Sequence, residues 1–154
     1  MYHILEKKIN LEQLKNIAEK LANISKPSDI YLLKGDLGSG KTTFTRFFIN
    51  YLYDLKKISK PSNINSPSFP ILINYTLNDF EILHYDLFRL NNKKELQELN
   101  IFENFSANIS IIEWPELILN NLQSTNHYLI NFDIVNLSER VLSIQHSTKK
   151  LIEL

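Results

Sequence analysis

Gly35-Asp36-Leu37-Gly38-Ser39-Gly40-Lys41-Thr42 holds all three glycines of this 154-residue chain, whereas average usage would scatter roughly eleven along it. The stretch fits G-x-x-x-x-G-K-[ST], in which bare backbone turns tightly enough to aim several amide N–H groups at a phosphate. Its flanks decide whether the pattern has structural meaning. Upstream, Ile30-Tyr-Leu-Leu33 is a short apolar run that predicts a strand buried on both faces. Downstream, from Thr43 onward, Phe44, Phe47, Phe48, Tyr51, Leu52 and Leu55 recur at spacings of three and four and predict one face of a helix. The loop therefore joins strand to helix, where the helix N-terminus adds oriented amides and about half a positive charge. In such a loop Lys41 is expected to bridge the outer two phosphates of a nucleoside triphosphate, and the Thr42 hydroxyl to bind a magnesium ion that keeps part of its water shell.

Composition narrows the field. Lys plus Arg and Asp plus Glu balance at 17 each, so no whole-chain basic field signals autonomous nucleic-acid binding. Cysteine is absent, which excludes disulfides, thiolate metal sites and a cysteine nucleophile. The N-terminal Met1-Tyr-His-Ile-Leu-Glu-Lys-Lys lacks the apolar core of a signal peptide, and no stretch is apolar for the length a membrane helix needs. A cytoplasmic protein without a membrane partner is expected.

Asn10-Leu-Glu-Gln13 reads as a capping box, and Leu11, Leu14, Ile17, Ala18 and Leu21 continue as the stripe of a first helix ending near Ser25. The helix after the loop is expected to run to about Leu55, with Lys56, Lys57 and Lys60 as its solvated end. Phe69 to Tyr75 and Phe80 to Asp86 read as two antiparallel strands about the turn Thr76-Leu-Asn-Asp79. Lys93 to Leu99 predicts a short helix, Ile109 to Ile112 a buried strand, and Pro115 to Leu122 another short helix. His127 to Val135 and Arg140 to His146 predict a hairpin about Asn136-Leu-Ser-Glu. No repeat or linker divides the chain, so residues 1–154 are expected to form one α/β domain. Its fold class is P-loop NTPase-like: a mixed sheet, parallel around the loop with antiparallel edge strands, flanked by helices.

Hydrolysis of a bound nucleotide also needs a carboxylate near the metal and a group that places the attacking water. Asp86 and Glu113 each end an apolar run, and ligands of open α/β sheets bind outside such carboxyl ends. One acid would hold magnesium and the other orient water, with the roles unassigned by sequence. Trp114 follows Glu113 as a possible wall of the site, and His84 precedes Asp86 by two residues, on the same side of a regular strand. Ser66-Pro-Ser68-Phe69 brings two hydroxyls into a restricted loop, where a switch would present one to phosphate or magnesium.

Taken in order, the glycine loop through Arg46, Ser66-Pro-Ser-Phe69, His84-Tyr-Asp-Leu-Phe-Arg-Leu90 and Ile112-Glu-Trp-Pro-Glu116 resemble the TsaE (YjeE) family. The resemblance implies an ATPase, with ATP and Mg2+ as ligands, that joins TsaB and TsaD in making threonylcarbamoyladenosine in tRNA, touching tRNA only indirectly. It also implies roles: Gly35 through Thr43 cradle phosphate, Lys41 and Thr42 bind phosphate and metal, Asp86 is the Walker-B-like acid, Glu113 contacts magnesium, and Ser68 supplies the switch hydroxyl. Arg140, on the C-terminal hairpin, is a further candidate contact to nucleotide. The chain departs from the family in having Ser68 for Thr, Phe88 for Tyr, and Leu14 where many members carry Thr, which leaves the adenine contact unassigned. Two other functions share the loop: a small-molecule kinase, which usually clamps phosphate with clustered arginines where this chain has only Arg46, Arg89 and Arg140, and a non-catalytic module that nucleotide merely orders for a partner.

Overall fold

The chain opens on a strand that sequence analysis leaves unassigned. Strand β1, Tyr2–Ile9, buries only Ile9 fully. As an edge strand carrying Glu6, Lys7 and Lys8 it shows no clean alternation, and such charges blunt an exposed edge. The structure, a computed structural model, describes residues 1–122, 125–149, 152 and 154.

Helix α1, Leu11–Ile24, starts on the expected capping box: Asn10 Oδ1 accepts from Gln13 N at 2.9 Å, and Gln13 Oε1 from Asn10 N at 3.0 Å. Leu14, Ile17, Ala18, Leu21 and Ala22 face the core, but Leu11 stays 60% exposed. Strand β2, Ile30–Gly35, feeds the glycine loop, and helix α2, Lys41–Lys56, leaves it. The buried stripe of α2 is Lys41, Phe44, Thr45, Phe48, Ile49, Leu52 and Tyr53, rotated from the expected one; Leu55 is exposed, and Phe47 and Tyr51 are half-buried. The rotation follows from α2 packing against both the sheet and α1.

Strands β3, Leu72–Thr76, and β4, Glu81–Asp86, form the predicted antiparallel pair. The first begins later than expected because Pro67 O accepts from Ile71 N, and Ile71 has φ 68°. Helix α3, Lys93–Glu98, and strand β5, Ile109–Glu113, follow. Residues 115–122 make two short 3-10 turns, Pro115–Leu117 and Leu119–Asn121, in place of the expected α-helix. Trp114 enters them left-handed at φ 57°, so the backbone arrives out of line with a helix axis. Strands β6, Tyr128–Ile134, and β7, Arg140–His146, close the predicted hairpin.

The seven strands form one mixed sheet in the order β1-β7-β6-β2-β5-β4-β3. Pairing is parallel from β6 through β2 and β5 to β4, and antiparallel toward both edges. Alternation along β2 divides the core: Tyr31 and Leu33 pack with α1 and α2, while Ile30 and Leu32 pack with Leu96, Phe105 and Ile118 on the opposite face. Burial on both faces explains why β2 reads as an apolar run over Ile30 to Leu33 and β5 as one interrupted by the buried Ser110. No helix among the described residues is long and apolar enough to cross a membrane.

Candidate functional site

Parallel register brings the expected groups to the C-terminal ends of neighbouring interior strands. Glu113 lies opposite Leu33 of β2 on one side and opposite Asp86 of β4 on the other. The strand ends are tied by Trp114 N donating to Leu33 O at 3.2 Å and Leu87 N to Glu113 O at 3.0 Å. The glycine loop emerges beside them. Gly35 has no room for a side chain, since a Cβ there would lie 2.6 Å from Phe132 O and 2.7 Å from Ser39 Oγ. Gly38, at φ 75°, takes the left-handed turn that other residues adopt at a cost.

Lys41 is 4% exposed, and its Nζ donates to the carbonyls of Gly35 at 2.6 Å and Asp36 at 2.9 Å while lying 4.1 Å from the centre of the Trp114 ring. Burial lowers the pKa of its ammonium from the usual 10.5, and Glu113, Asp86, Glu116 and Asp36 oppose that shift. The ammonium is thus bound only to neutral oxygens of its own loop, within the field of several carboxylates. An anion entering the loop would offer it a stronger, charge-assisted partner.

Glu113 is held from two sides. Thr42 Oγ1 donates to its carboxylate at 2.9 and 3.1 Å, and His84 Nε2 lies 2.8 Å from Oε1. His84 is fully buried and its Nδ1 meets no hydrogen-bond partner among the described residues. A carboxylate oxygen only accepts, so Nε2 is the donor in this bond. Asp86 accepts from Ser66 Oγ through one oxygen and from Phe88 N at 3.0 Å through the other. The switch-type loop is therefore tied to an acid through Ser66, while Ser68 stands at the cleft without an assigned bond.

A cleft of about 280 Å³ collects these groups, with Leu37, Gly38, Gly40, Lys41, Thr42 and Thr43 on one side and Ser66, Ser68, Asp86, Phe88, Glu113 and Trp114 on the other. Phe88 and Trp114 rings stand 4.8 Å apart at its mouth. Gly35 and Asp36 lie behind, receiving Lys41. Ser39 is buried beneath the loop.

Sequence reasoning missed a second hollow, of about 660 Å³, on the other flank of the loop, lined by Ile9, Leu11, Leu14, Leu137, Arg140 and the backbone of Gly38 to Gly40. One available signal was Leu11, an apolar residue at the first position of α1. Arg140 does not enter the phosphate-side cleft: its Nε donates to Ser39 O at 2.9 Å and its Nη2 to Gly38 O at 3.1 Å. It grips the loop from behind.

A glycine loop between a buried strand and a helix, faced by acids at the ends of two neighbouring parallel strands, defines an α/β protein of P-loop NTPase-like fold. Comparison with known proteins is more specific. The family model described as threonylcarbamoyl adenosine biosynthesis protein TsaE matches residues 9–142. The tRNA threonylcarbamoyladenosine biosynthesis protein TsaE of Rickettsia felis is 38% identical over 135 residues, covering 88% of this chain and 75% of that protein. Its namesake from Bacillus subtilis is 36% identical over 111 residues, 71% of this chain and 65% of that one. The crystal structure of Bacillus subtilis YdiB matches with a TM-score of 0.63 and 25% identity over 92% of this chain and 86% of that one. The chain belongs to the TsaE family.

Proposed function

We propose that this protein is a slow, partner-regulated ATPase that binds ATP with magnesium and supports the complex making threonylcarbamoyladenosine in tRNA. The observation that carries the reading is the convergence of the Lys41 ammonium, the Thr42 hydroxyl and the Glu113 and Asp86 carboxylates in one cleft beside the glycine loop. The donor set suits magnesium: hard oxygens only, and no group of three His, Cys, Asp or Glu among the described residues that would cage a metal by itself. Magnesium typically takes one or two carboxylates and completes its shell with water and phosphate oxygens.

Thr42 and Glu113 are the residues that would hold the ion, with Asp86 beside them. When bound, the ion neutralises charge on the outer phosphate oxygens. Lys41 leaves the Gly35 and Asp36 carbonyls for the terminal phosphates. Asp86, which accepts from Phe88 N and Ser66 Oγ, would orient the attacking water and couple the loop of residues 66–68 to the occupant of the cleft. His84 keeps Glu113 aimed at Thr42. The apolar groove of Ile9, Leu11 and Leu14 takes the adenine ring, the side from which a base would extend once its phosphates lie on the loop.

A kinase reading has less support, because no arginine lines the cleft; Arg46 donates to Ile64 O at 3.1 Å and Arg89 lies over Phe69. TsaB and TsaD are the proposed partners. Release of phosphate from ATP–magnesium, measured for the chain alone and with TsaB and TsaD, is expected to be slow in the first case and faster in the second. Nucleotide binding without phosphate release in either mixture would replace this reading by that of a nucleotide-ordered binding module.

A further inference from the structure

Arg140 lies 101 positions from Ser39 in sequence, yet its guanidinium makes four hydrogen bonds that tie the β6–β7 hairpin to the glycine loop. Two go to the loop carbonyls, Ser39 O at 2.9 Å and Gly38 O at 3.1 Å, and two return to the hairpin, Asn136 O at 2.6 Å and Glu139 O at 2.9 Å. Among the described residues no carboxylate forms an ion pair with it. The hairpin it springs from is itself fixed. Asn136 Oδ1 accepts from Ser138 N and Glu139 N, both at 2.9 Å, and the Glu139 carboxylate pairs with Lys8 of β1 at 2.8 Å.

A trans peptide is planar, so its carbonyl and its N–H point in opposite directions. Holding the Ser39 carbonyl toward the hairpin therefore turns the Gly40 amide away from it; holding the Gly38 carbonyl does the same for the Ser39 amide, which closes the turn on Asp36 O at 3.1 Å. Gly40 is the residue where this matters most. With φ 115° and no side chain, it has alternative backbone states open to it that other residues lack.

We propose that Arg140 is a positioning residue for phosphate binding: by holding the Gly38 and Ser39 carbonyls from behind the loop it fixes the direction of the Gly40 amide, and it leaves its own unpaired positive charge at the loop's back. The inference rests on the proposed function in that the loop is taken to receive phosphate. Only a planar fork can hold two successive carbonyls and the hairpin together, so lysine is not an equivalent.

The test compares the full chain with Arg140→Lys and Arg140→Ala in two measurements. In the nucleotide-free protein, the 15N order parameter of the Gly40 amide is expected to fall from the rigid range, about 0.85, toward about 0.6 in both variants, while the amides of β2 remain rigid. In titrations with ATP–magnesium, both variants are expected to bind about tenfold or more weakly, the scale of losing charge-assisted hydrogen bonds. A Gly40 amide equally rigid in all three proteins would overturn the proposal, as would an Arg140→Lys variant that binds like the parent. If the parent itself binds no ATP while the Gly40 amide still loosens in the variants, the positioning role stands and the proposed function fails.

Discussion

Lys41→Met is expected to lower affinity for ATP–magnesium by about 100-fold or more, roughly 2.7 kcal/mol, while leaving the fold intact. Among the described residues the ammonium is the one cation lining the cleft, and it donates to the Gly35 and Asp36 carbonyls. Methionine keeps the apolar stem against Trp114 and removes the point charge on the outer phosphates. Calorimetric titration of both proteins, with thermal unfolding as control, checks this. The melting temperature should hold or rise, because a desolvated charge leaves the interior.

The same lysine gives the site a pH dependence. Burial lowers its pKa from 10.5, and bound phosphate favours the charged form. As pH rises past the lowered value the free protein loses this proton before the complex does, so ATP affinity should fall toward alkaline pH in the parent and not in Lys41→Met. For folding the sign is opposite. Between the lowered value and 10.5 the unfolded chain binds more protons at this residue, so its contribution to stability rises with pH.

Glu113→Gln is expected to reduce ATP hydrolysis by about 100-fold or more, the scale of losing a preorganised electrostatic contact in the transition state, with a much smaller change in nucleotide affinity. The amide oxygen can still accept from Thr42 and His84, so the local bonds survive while the negative charge is lost. Single-turnover hydrolysis alongside equilibrium binding separates the two effects. Raising magnesium should restore part of the Glu113→Gln activity, since this acid shares the Thr42 hydroxyl; a variant with parental turnover would remove Glu113 from the mechanism.

Much of this arrangement was legible in the sequence because its signals are local. The capping box at Asn10, the apolar run before Gly35 and the spacing after Lys41 each depend on neighbours within one turn or strand. Asp86 and Glu113 could be placed at strand ends for the same reason. Their adjacency depends on the parallel register of β4 on β5, which is a long-range fact. What stayed hidden depends on distant partners. Strand β1 exists because β7 offers it an edge, and its charged exposed side conceals the alternation. The grip of Arg140 on Gly38 and Ser39 joins residues about a hundred positions apart. Likewise the bond from Ser66 to Asp86 could not be told from a second hydroxyl in a proline turn.

The claim on which all of this depends is that residues 35–42 wrap the outer phosphates of ATP, with the acids of β4 and β5 facing the metal. A crystal structure of the protein with magnesium and a non-hydrolysable ATP analogue tests it most directly. The account predicts Lys41 Nζ released from the Gly35 and Asp36 carbonyls and bonded to the terminal phosphate, with Thr42 and at least one of Asp86 and Glu113 at the ion. Nucleotide bound elsewhere, or the loop filled while both acids turn away from the ion, would contradict it.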